Sequence, residues 1–147
     1  MHPIEADDLF DDWHETTIRV RYAETDRMGV VYHANYLVWF EIGRTEWCRA
    51  AGIPYAQMES EGLFIPVTRV TCAFRGRPRY DDPITVRTTM SALARRGCEF
   101  SYEVFGPAGD RLAEGATRHV FTDAAGRARS APQRLVDALA RYRESSG

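Results

Sequence analysis

The chain has 147 residues, 44% of them hydrophobic and 27% charged, with 19 Lys and Arg against 21 Asp and Glu. That length predicts a single domain with a core large enough to fold without disulfide bonds or metal ions. A formal net charge of −2 argues against a nucleic-acid-binding protein, because such proteins carry a strong basic excess. The longest apolar run, Tyr36 to Phe40, is far shorter than the ~20 residues of a membrane span.

The N-terminal segment is acidic and has no apolar stretch, unlike a signal peptide. We predict that residues 1–14 form a flexible arm and that residues 15–147 form one domain. The cysteines are odd in number and lack CxxC spacing, which argues against a disulfide framework or a zinc site and favours reduced thiols in the cytoplasm: Cys48, Cys72 and Cys98. The four histidines are equally scattered, so we expect no metal site.

The first half of the sequence predicts a strand followed by a long buried helix. Alternation over Thr16 to Tyr22 indicates a half-buried strand whose inner face carries Ile18, Val20 and Tyr22. From Ala34 to Ala51, polar residues recur three or four positions apart on a narrow stripe, which is typical of a helix largely enclosed by protein. Gly43 within this helix indicates either close approach of a strand or ligand, or a tolerated glycine.

The second half predicts four more strands and a final helix. Alternating runs follow residue 60, with turns at 80–83, 95–97 and 106–110. Such short turns predict that consecutive strands are antiparallel neighbours. Pro132 then begins an amphipathic C-terminal helix. The expected fold is therefore α+β, of order β-α-β-β-β-β, in which a five-stranded antiparallel sheet wraps round one long central helix and a short C-terminal helix follows.

The segment between the first strand and the long helix has the strongest chemical character. It contains Glu24, Asp26 and Gly29, and His33 lies where the helix begins. Free N–H groups and the positive end of the helix dipole make such a point suitable for an anion or oxyanion. A nearby carboxylate can act as base or nucleophile. The alternative is structural, in which Asp26 caps a turn and His33 only begins the helix.

This segment, YAETDRMGVVYHANY over residues 22–36, resembles the signature of hotdog-fold acyl-CoA thioesterases of the 4-hydroxybenzoyl-CoA thioesterase family. It is most similar to the branch associated with the Tol–Pal cluster, and the resemblance covers about residues 16 to 122, including Tyr80-Asp81-Asp82. The resemblance implies hydrolysis of acyl-CoA thioesters to free acid and coenzyme A. It assigns Asp26 as nucleophile or general base. It places His33 where a backbone N–H polarises the thioester carbonyl, and it gives the imidazole an assisting role.

The same resemblance implies the substrate-binding residues. Tyr32 would flank the acyl pocket, Ile65-Pro66-Val67 would line the substrate site, and Arg95 with Arg96 would contact the nucleotide phosphates of coenzyme A. Each has a structural alternative: an aromatic packing residue, a strand start marked by Pro66, and two solvated arginines in a turn. Two further residues are expected in lesser roles, Glu24 as a supporting or solvated carboxylate and Met28 as packing. No cofactor or metal would be required.

Hotdog proteins of this kind pair edge to edge, so we expect a homodimer or homotetramer in which Asp26 of one chain faces residues 65–67 of the other. Three other functions are open. The chain could hydrolyse acyl-carrier-protein thioesters in lipid or polyketide synthesis, although the branch that does so departs at the catalytic Asp. It could be a hydratase, although we find no Asn-Pro motif. It could also be a non-catalytic acyl-CoA-binding module.

Overall fold

The computed structural model describes residues 13–146. Residues 1–12 of the predicted arm therefore lie outside the described residues, and His14 already belongs to the first strand. Five strands form one antiparallel sheet: β1 (His14–Arg19), β2 (Val67–Phe74), β3 (Pro83–Ala94), β4 (Gly97–Phe105) and β5 (Arg111–Val120). Three helices accompany the sheet: α1 (Asn35–Ala50), α2 (Tyr55–Ser60) and α3 (Gln133–Ser146). The predicted α+β class, the central helix and the C-terminal helix are confirmed, whereas α2 was not predicted.

The sheet order is β1-β3-β4-β5-β2, so the two strands at its edges are β1 and β2. The prediction that all four later strands are sequential neighbours is wrong for β2, which pairs with β5 and not with β3. The turn before β3 instead hydrogen-bonds to Val20, the residue that follows β1. Asp81 N–H donates to the Val20 carbonyl (2.9 Å), and Val20 N–H donates to the Asp82 carbonyl (3.1 Å). The connection after β2 therefore crosses the sheet from β2 at one edge to β3, which lies beside β1 at the other edge.

Helix α1 is the centre of the core. Its apolar side chains Trp39, Phe40 and Trp47 are completely buried. A Cβ built on Gly43 would lie 2.3 Å from Thr88 Oγ1 and 2.8 Å from Val86 Cγ1 on β3. Of the two interpretations of this glycine, close approach of a strand is confirmed. The missing side chain lets the middle of α1 lie directly against the sheet.

β1, β3 and β4 carry the alternation that the sequence predicts, whereas β2 does not, and β1 ends earlier than predicted. β1 ends at Arg19, and a single 3₁₀ turn (Tyr22–Glu24) follows, so Tyr22 is 78% exposed rather than buried. β2 is exposed along nearly its whole length, including the apolar side chains of Val70 and Phe74. Within one chain, these side chains of β2 are therefore only partly covered.

The C-terminal helix α3 packs beside α1 through its apolar side chains. Leu135 and Leu139 are buried, and Tyr142 lies edge-on against Trp47 with ring centroids 5.4 Å apart. None of the helices within residues 13–146 has the length and apolar character that crossing a bilayer requires.

Candidate active site

A tight hairpin leads from the 3₁₀ turn into α1 and carries Asp26. Thr25 and Val31 form an isolated antiparallel bridge, and Asp26 N–H donates to the Val30 carbonyl (2.9 Å). The chain reverses at Gly29, whose φ of 77° is a conformation that glycine adopts without strain. The hairpin therefore holds Asp26 by backbone geometry, just before the N-terminus of the central helix.

One oxygen of the Asp26 carboxylate is held and the other is open. Oδ1 accepts hydrogen bonds from the backbone N–H groups of Met28 (2.8 Å) and Val30 (3.4 Å). Within residues 13–146, Oδ2 has no hydrogen-bond partner, and the side chain is exposed. The capping role that the sequence allowed for Asp26 is thus present. The capping bonds use only Oδ1 and fix the orientation of the carboxylate, so Oδ2 is still available for a chemical role.

Glu24 lies beneath this hairpin and is only 3% exposed. Its Oε1 accepts from the Arg21 backbone N–H (2.7 Å), and its Oε2 accepts from the indole Nε1–H of Trp39 (3.0 Å). Its backbone carbonyl accepts from the Asn35 side-chain amide (3.0 Å) and from the Tyr32 N–H (2.9 Å). Of the two roles predicted for Glu24, support is confirmed and solvation is wrong, because the carboxylate joins the hairpin to α1 inside the protein.

The start of α1 has free hydrogen-bond donors. Ala34 is the N-cap residue and has no side-chain cap. Among the hydrogen bonds of residues 13–146, none uses the backbone N–H of His33 or Ala34. The exposed His33 ring lies 4.5 Å from the Tyr32 ring and 6.0 Å from the ring of Phe74, at the end of β2. These N–H groups at the positive end of the helix dipole can stabilise a negative oxygen.

The remaining predicted residues form a second group. Arg95 and Arg96 are the exposed two-residue turn between β3 and β4, and they line an open groove of about 520 Å³. Residues 65–67 lie next to this turn, because β5 contacts both. Its last residue, Val120, donates to the Pro66 carbonyl (3.3 Å), and the following N–H, of Phe121, donates to the Arg96 carbonyl (2.9 Å). Ile65 is half-buried, and Pro66 and Val67 are exposed.

In one chain the two groups lie at opposite ends of β2. Tyr36 and His33 contact Phe74, the last residue of that strand, while residues 65–67 end at its first residue, Val67. With a rise of ~3.3 Å per residue, the ends of this eight-residue strand are about 23 Å apart. The structure therefore brings together Asp26, Tyr32 and His33, and separately residues 65–67, Arg95 and Arg96. It does not bring the two groups together within a single chain.

Some roles differ from those that the sequence predicted. Met28 is 75% exposed and is not a packing residue within the chain. Asn35 and Trp39 support the hairpin through Glu24, which sequence reasoning missed, although their spacing of one helical turn on α1 was a usable signal. Cys48 and Cys98 are buried free thiols, while Cys72 is partly exposed. Across residues 13–146, no group of three or more His, Cys, Asp or Glu side chains is arranged to hold a metal ion.

A five-stranded antiparallel sheet around a central helix, entered by a hairpin with an exposed carboxylate, defines the chain as a hotdog-fold protein. Residues 20–139 match the model of the Thioesterase-like superfamily, and the chain belongs to that family. The predicted fold and family are thereby confirmed. The assignment to the Tol–Pal branch stays a prediction.

Individual relatives share much of the length. A Bacillus subtilis (strain 168) protein, YneP, provisionally named an acyl-CoA thioesterase, is 37% identical over 106 residues, covering 72% of this chain and 77% of that protein. The structure of a hypothetical protein, TT1821, from Thermus thermophilus has a TM-score of 0.82 and 40% identity, covering 87% of this chain and 98% of that one. The DHNA-CoA thioesterase of Staphylococcus aureus has a TM-score of 0.83 and 29% identity, covering 90% of this chain and 91% of that one.

Proposed function

We propose that the protein hydrolyses acyl-CoA thioesters to free carboxylic acid and coenzyme A. The observation that carries this proposal is the Asp26 carboxylate, which is exposed, oriented through one oxygen, and placed on the hairpin that enters α1. Family membership and the names of YneP and the Staphylococcus aureus enzyme support the same chemistry. Asp26 and the N–H groups at the start of α1 would supply the base and the oxyanion stabilisation, so no metal or cofactor would be required.

Asp26 can act in either of two ways. As nucleophile, its carboxylate attacks the thioester carbon, the C–S bond breaks, coenzyme A leaves as thiolate, and water hydrolyses the mixed anhydride. As general base, it takes a proton from the attacking water and passes it to the departing thiolate. In both routes the tetrahedral intermediate has a negative oxygen, which the unpartnered N–H groups of His33 and Ala34 would stabilise.

Substrate binding would use both groups of residues. Tyr32 would flank the acyl group beside Asp26, residues 65–67 would line the pocket, and Arg95 with Arg96 would bind phosphate groups of coenzyme A through charge-assisted hydrogen bonds. Both arginines are exposed at the mouth of an open groove, where a large anionic nucleotide can reach them. We place the protein in the cytoplasm, where its free thiols would stay reduced.

The separation of the two groups supports a shared site in a homodimer. Two copies joined by their exposed β2 edges in antiparallel fashion would place the Val67 end of one strand beside the Phe74 end of the other. A two-fold axis would thereby complete two identical sites. The exposed apolar side chains of β2 would be covered in the same step. Assembly of two dimers into a homotetramer is compatible with this arrangement.

Light scattering tests the dimer hypothesis with one variant in each edge strand of the sheet. Val70→Glu places a charge in the middle of β2 and should give an inactive monomer, while Thr17→Glu on the exposed face of β1 should leave assembly and turnover intact. A fully active monomeric wild-type protein would overturn both the interface and the shared site.

The activity itself is tested with a panel of acyl-CoA esters and a thiol-detecting reagent, alongside acyl-carrier-protein esters. Release of coenzyme A from at least one acyl-CoA, abolished by Asp26→Asn, is the expected result. Faster turnover of the carrier-protein esters would identify an acyl-carrier-protein thioesterase. Acyl-CoA binding without release of thiol would identify a non-catalytic module.

A further inference from the structure

A continuous chain of buried hydrogen bonds crosses the core from α1 to the segment before β2. Arg44 Nη1 lies 3.1 Å from the Tyr102 hydroxyl, which lies 2.6 Å from Thr117 Oγ1. Thr117 Oγ1 lies 2.7 Å from His119 Nε2, and His119 Nδ1 lies 3.0 Å from the Ile65 carbonyl oxygen. His119 is completely buried and Arg44 nearly so.

With a neutral imidazole, the two ends of this chain of hydrogen bonds fix the direction of every bond in it. A carbonyl oxygen can only accept, so Nδ1 of His119 carries the proton that faces Ile65. In a neutral imidazole, Nε2 then accepts from the Thr117 hydroxyl, and Thr117 in turn accepts from Tyr102. Tyr102 accepts from the guanidinium of Arg44, which can only donate. Burial lowers the pKa of His119 to about 4. The charge of Arg44 also lowers this pKa, while the hydrogen bond to Ile65 raises it, and the net result is consistent with a neutral ring.

The chain of hydrogen bonds ends where the pairing of β5 with the segment before β2 is interrupted. Pro66 has no N–H to give to β5, and the one backbone bond at this residue, from Val120 to its carbonyl, is long at 3.3 Å. Immediately beyond, the pairing of β2 with β5 shifts register between Val67 and Arg69. The imidazole of His119 therefore supplies, from β5, a bond to this segment that the interrupted ladder does not provide.

We propose that His119 is a positioning residue for substrate binding: oriented through Thr117 and Tyr102, it holds the Ile65 carbonyl and so sets the shape of residues 65–67. The proposal rests on the proposed function, in which those residues line the acyl-CoA site. His119 does not touch substrate in this role, so its loss should weaken substrate binding far more than it slows the chemical step.

The experiment compares variants that break this chain of hydrogen bonds with one variant, Tyr55→Phe, that leaves it intact. Thr117→Val removes the central hydroxyl at nearly constant volume and should raise KM for acyl-CoA about tenfold with kcat changed less than about twofold. His119→Leu should do the same, and His119→Asn, which can still donate to Ile65, should recover most of the loss. Tyr55→Phe is the matched control. It removes the hydrogen bond that Arg44 Nε donates to the Tyr55 hydroxyl (2.8 Å), which is not part of the chain of hydrogen bonds to Ile65.

Nuclear magnetic resonance gives a readout that is independent of turnover. Long-range ¹H–¹⁵N spectra at neutral pH should show His119 protonated at Nδ1 only, and Thr117→Val should shift the amide signals of Ile65 and Val67 while Tyr55→Phe does not. An Nε2–H or doubly protonated ring, or equal effects of Thr117→Val and Tyr55→Phe on KM and on these amides, would overturn the proposal. If the wild-type protein cleaves no acyl-CoA, the proposed function fails, and the claim about His119 stands or falls on the amide signals.

Discussion

Two carboxylates of the same short segment, Glu24 and Asp26, lie in opposite environments. Glu24 is 3% exposed and both of its oxygens accept hydrogen bonds, from Arg21 and Trp39. Asp26 is exposed, and its one occupied oxygen is bonded only to the backbone of its own hairpin. A single residue separates them, yet one faces the core under α1 and the other faces outward.

This difference separates structural support from chemistry. A buried carboxylate with every donor around it satisfied is costly to disturb and is unavailable to substrate. An exposed carboxylate held through one oxygen keeps its direction and still presents a free lone pair. We infer that Glu24 maintains the position of the hairpin and that Asp26 uses this position. The predictions below test whether these two roles can be separated by mutation.

The largest expected effect is on turnover in Asp26→Asn. The amide keeps the acceptor for the N–H groups of Met28 and Val30 but cannot act as nucleophile or base, so kcat should fall by about 10²–10⁴-fold. Thermal unfolding should be nearly unchanged. Turnover by the purified variant at close to the wild-type rate would mean that Asp26 has no catalytic role.

Glu24→Ala should instead act on stability. It leaves the buried indole N–H of Trp39 and the N–H of Arg21 without acceptors, which should lower the free energy of unfolding by about 3 kcal/mol. Glu24→Gln keeps an acceptor and should lose much less. Denaturant unfolding of both variants measures this. A Glu24→Ala protein that is as stable as wild type but inactive would assign Glu24 to the chemistry and remove the distinction from Asp26.

His33→Ala tests how much of the carbonyl polarisation belongs to the backbone. The N–H at this position survives the substitution, so kcat should fall by less than about 10²-fold, the lower end of side-chain acid–base assistance. Steady-state kinetics on the same acyl-CoA as for Asp26→Asn provides the comparison. A loss as large as that of Asp26→Asn, in a folded protein, would show that the imidazole itself is essential.

The smallest effect is expected at the other end of β2, in the double variant Arg95→Ala with Arg96→Ala. KM for acyl-CoA should rise about tenfold, because exposed cations contribute modestly to phosphate binding. Short thioesters without the nucleotide should be hydrolysed as before, and higher salt should reduce the difference. If KM for the CoA ester does not change, the two arginines belong to the solvated surface.

Much of the fold could be predicted because its signals are local. The alternation of Cys98, Phe100, Tyr102 and Val104 predicts β4, and the pattern from Ala34 to Ala51 predicts α1 within one residue at each end. The position of β2 could not be predicted in this way, because its alternation is the same whether it pairs with β3 or with β5. Tyr22 was wrongly predicted to lie in the first strand, because the alternating pattern continues past Arg19 although the backbone there forms a 3₁₀ turn.

The sequence by itself determined the candidate chemistry of this protein, since Asp26, Gly29 and His33 lie within eight residues and a hairpin with a helix start brings them together through local hydrogen bonds. Only the tertiary structure decided that Glu24 is buried, that His119 is held by Arg44 through two hydroxyls, and that residues 65–67 lie at the far end of β2 from His33, along a strand about 23 Å long. Burial and such distances depend on which distant segments pack together. Glu24 and Asp26, only two positions apart, can therefore lie one in the core and the other at the surface.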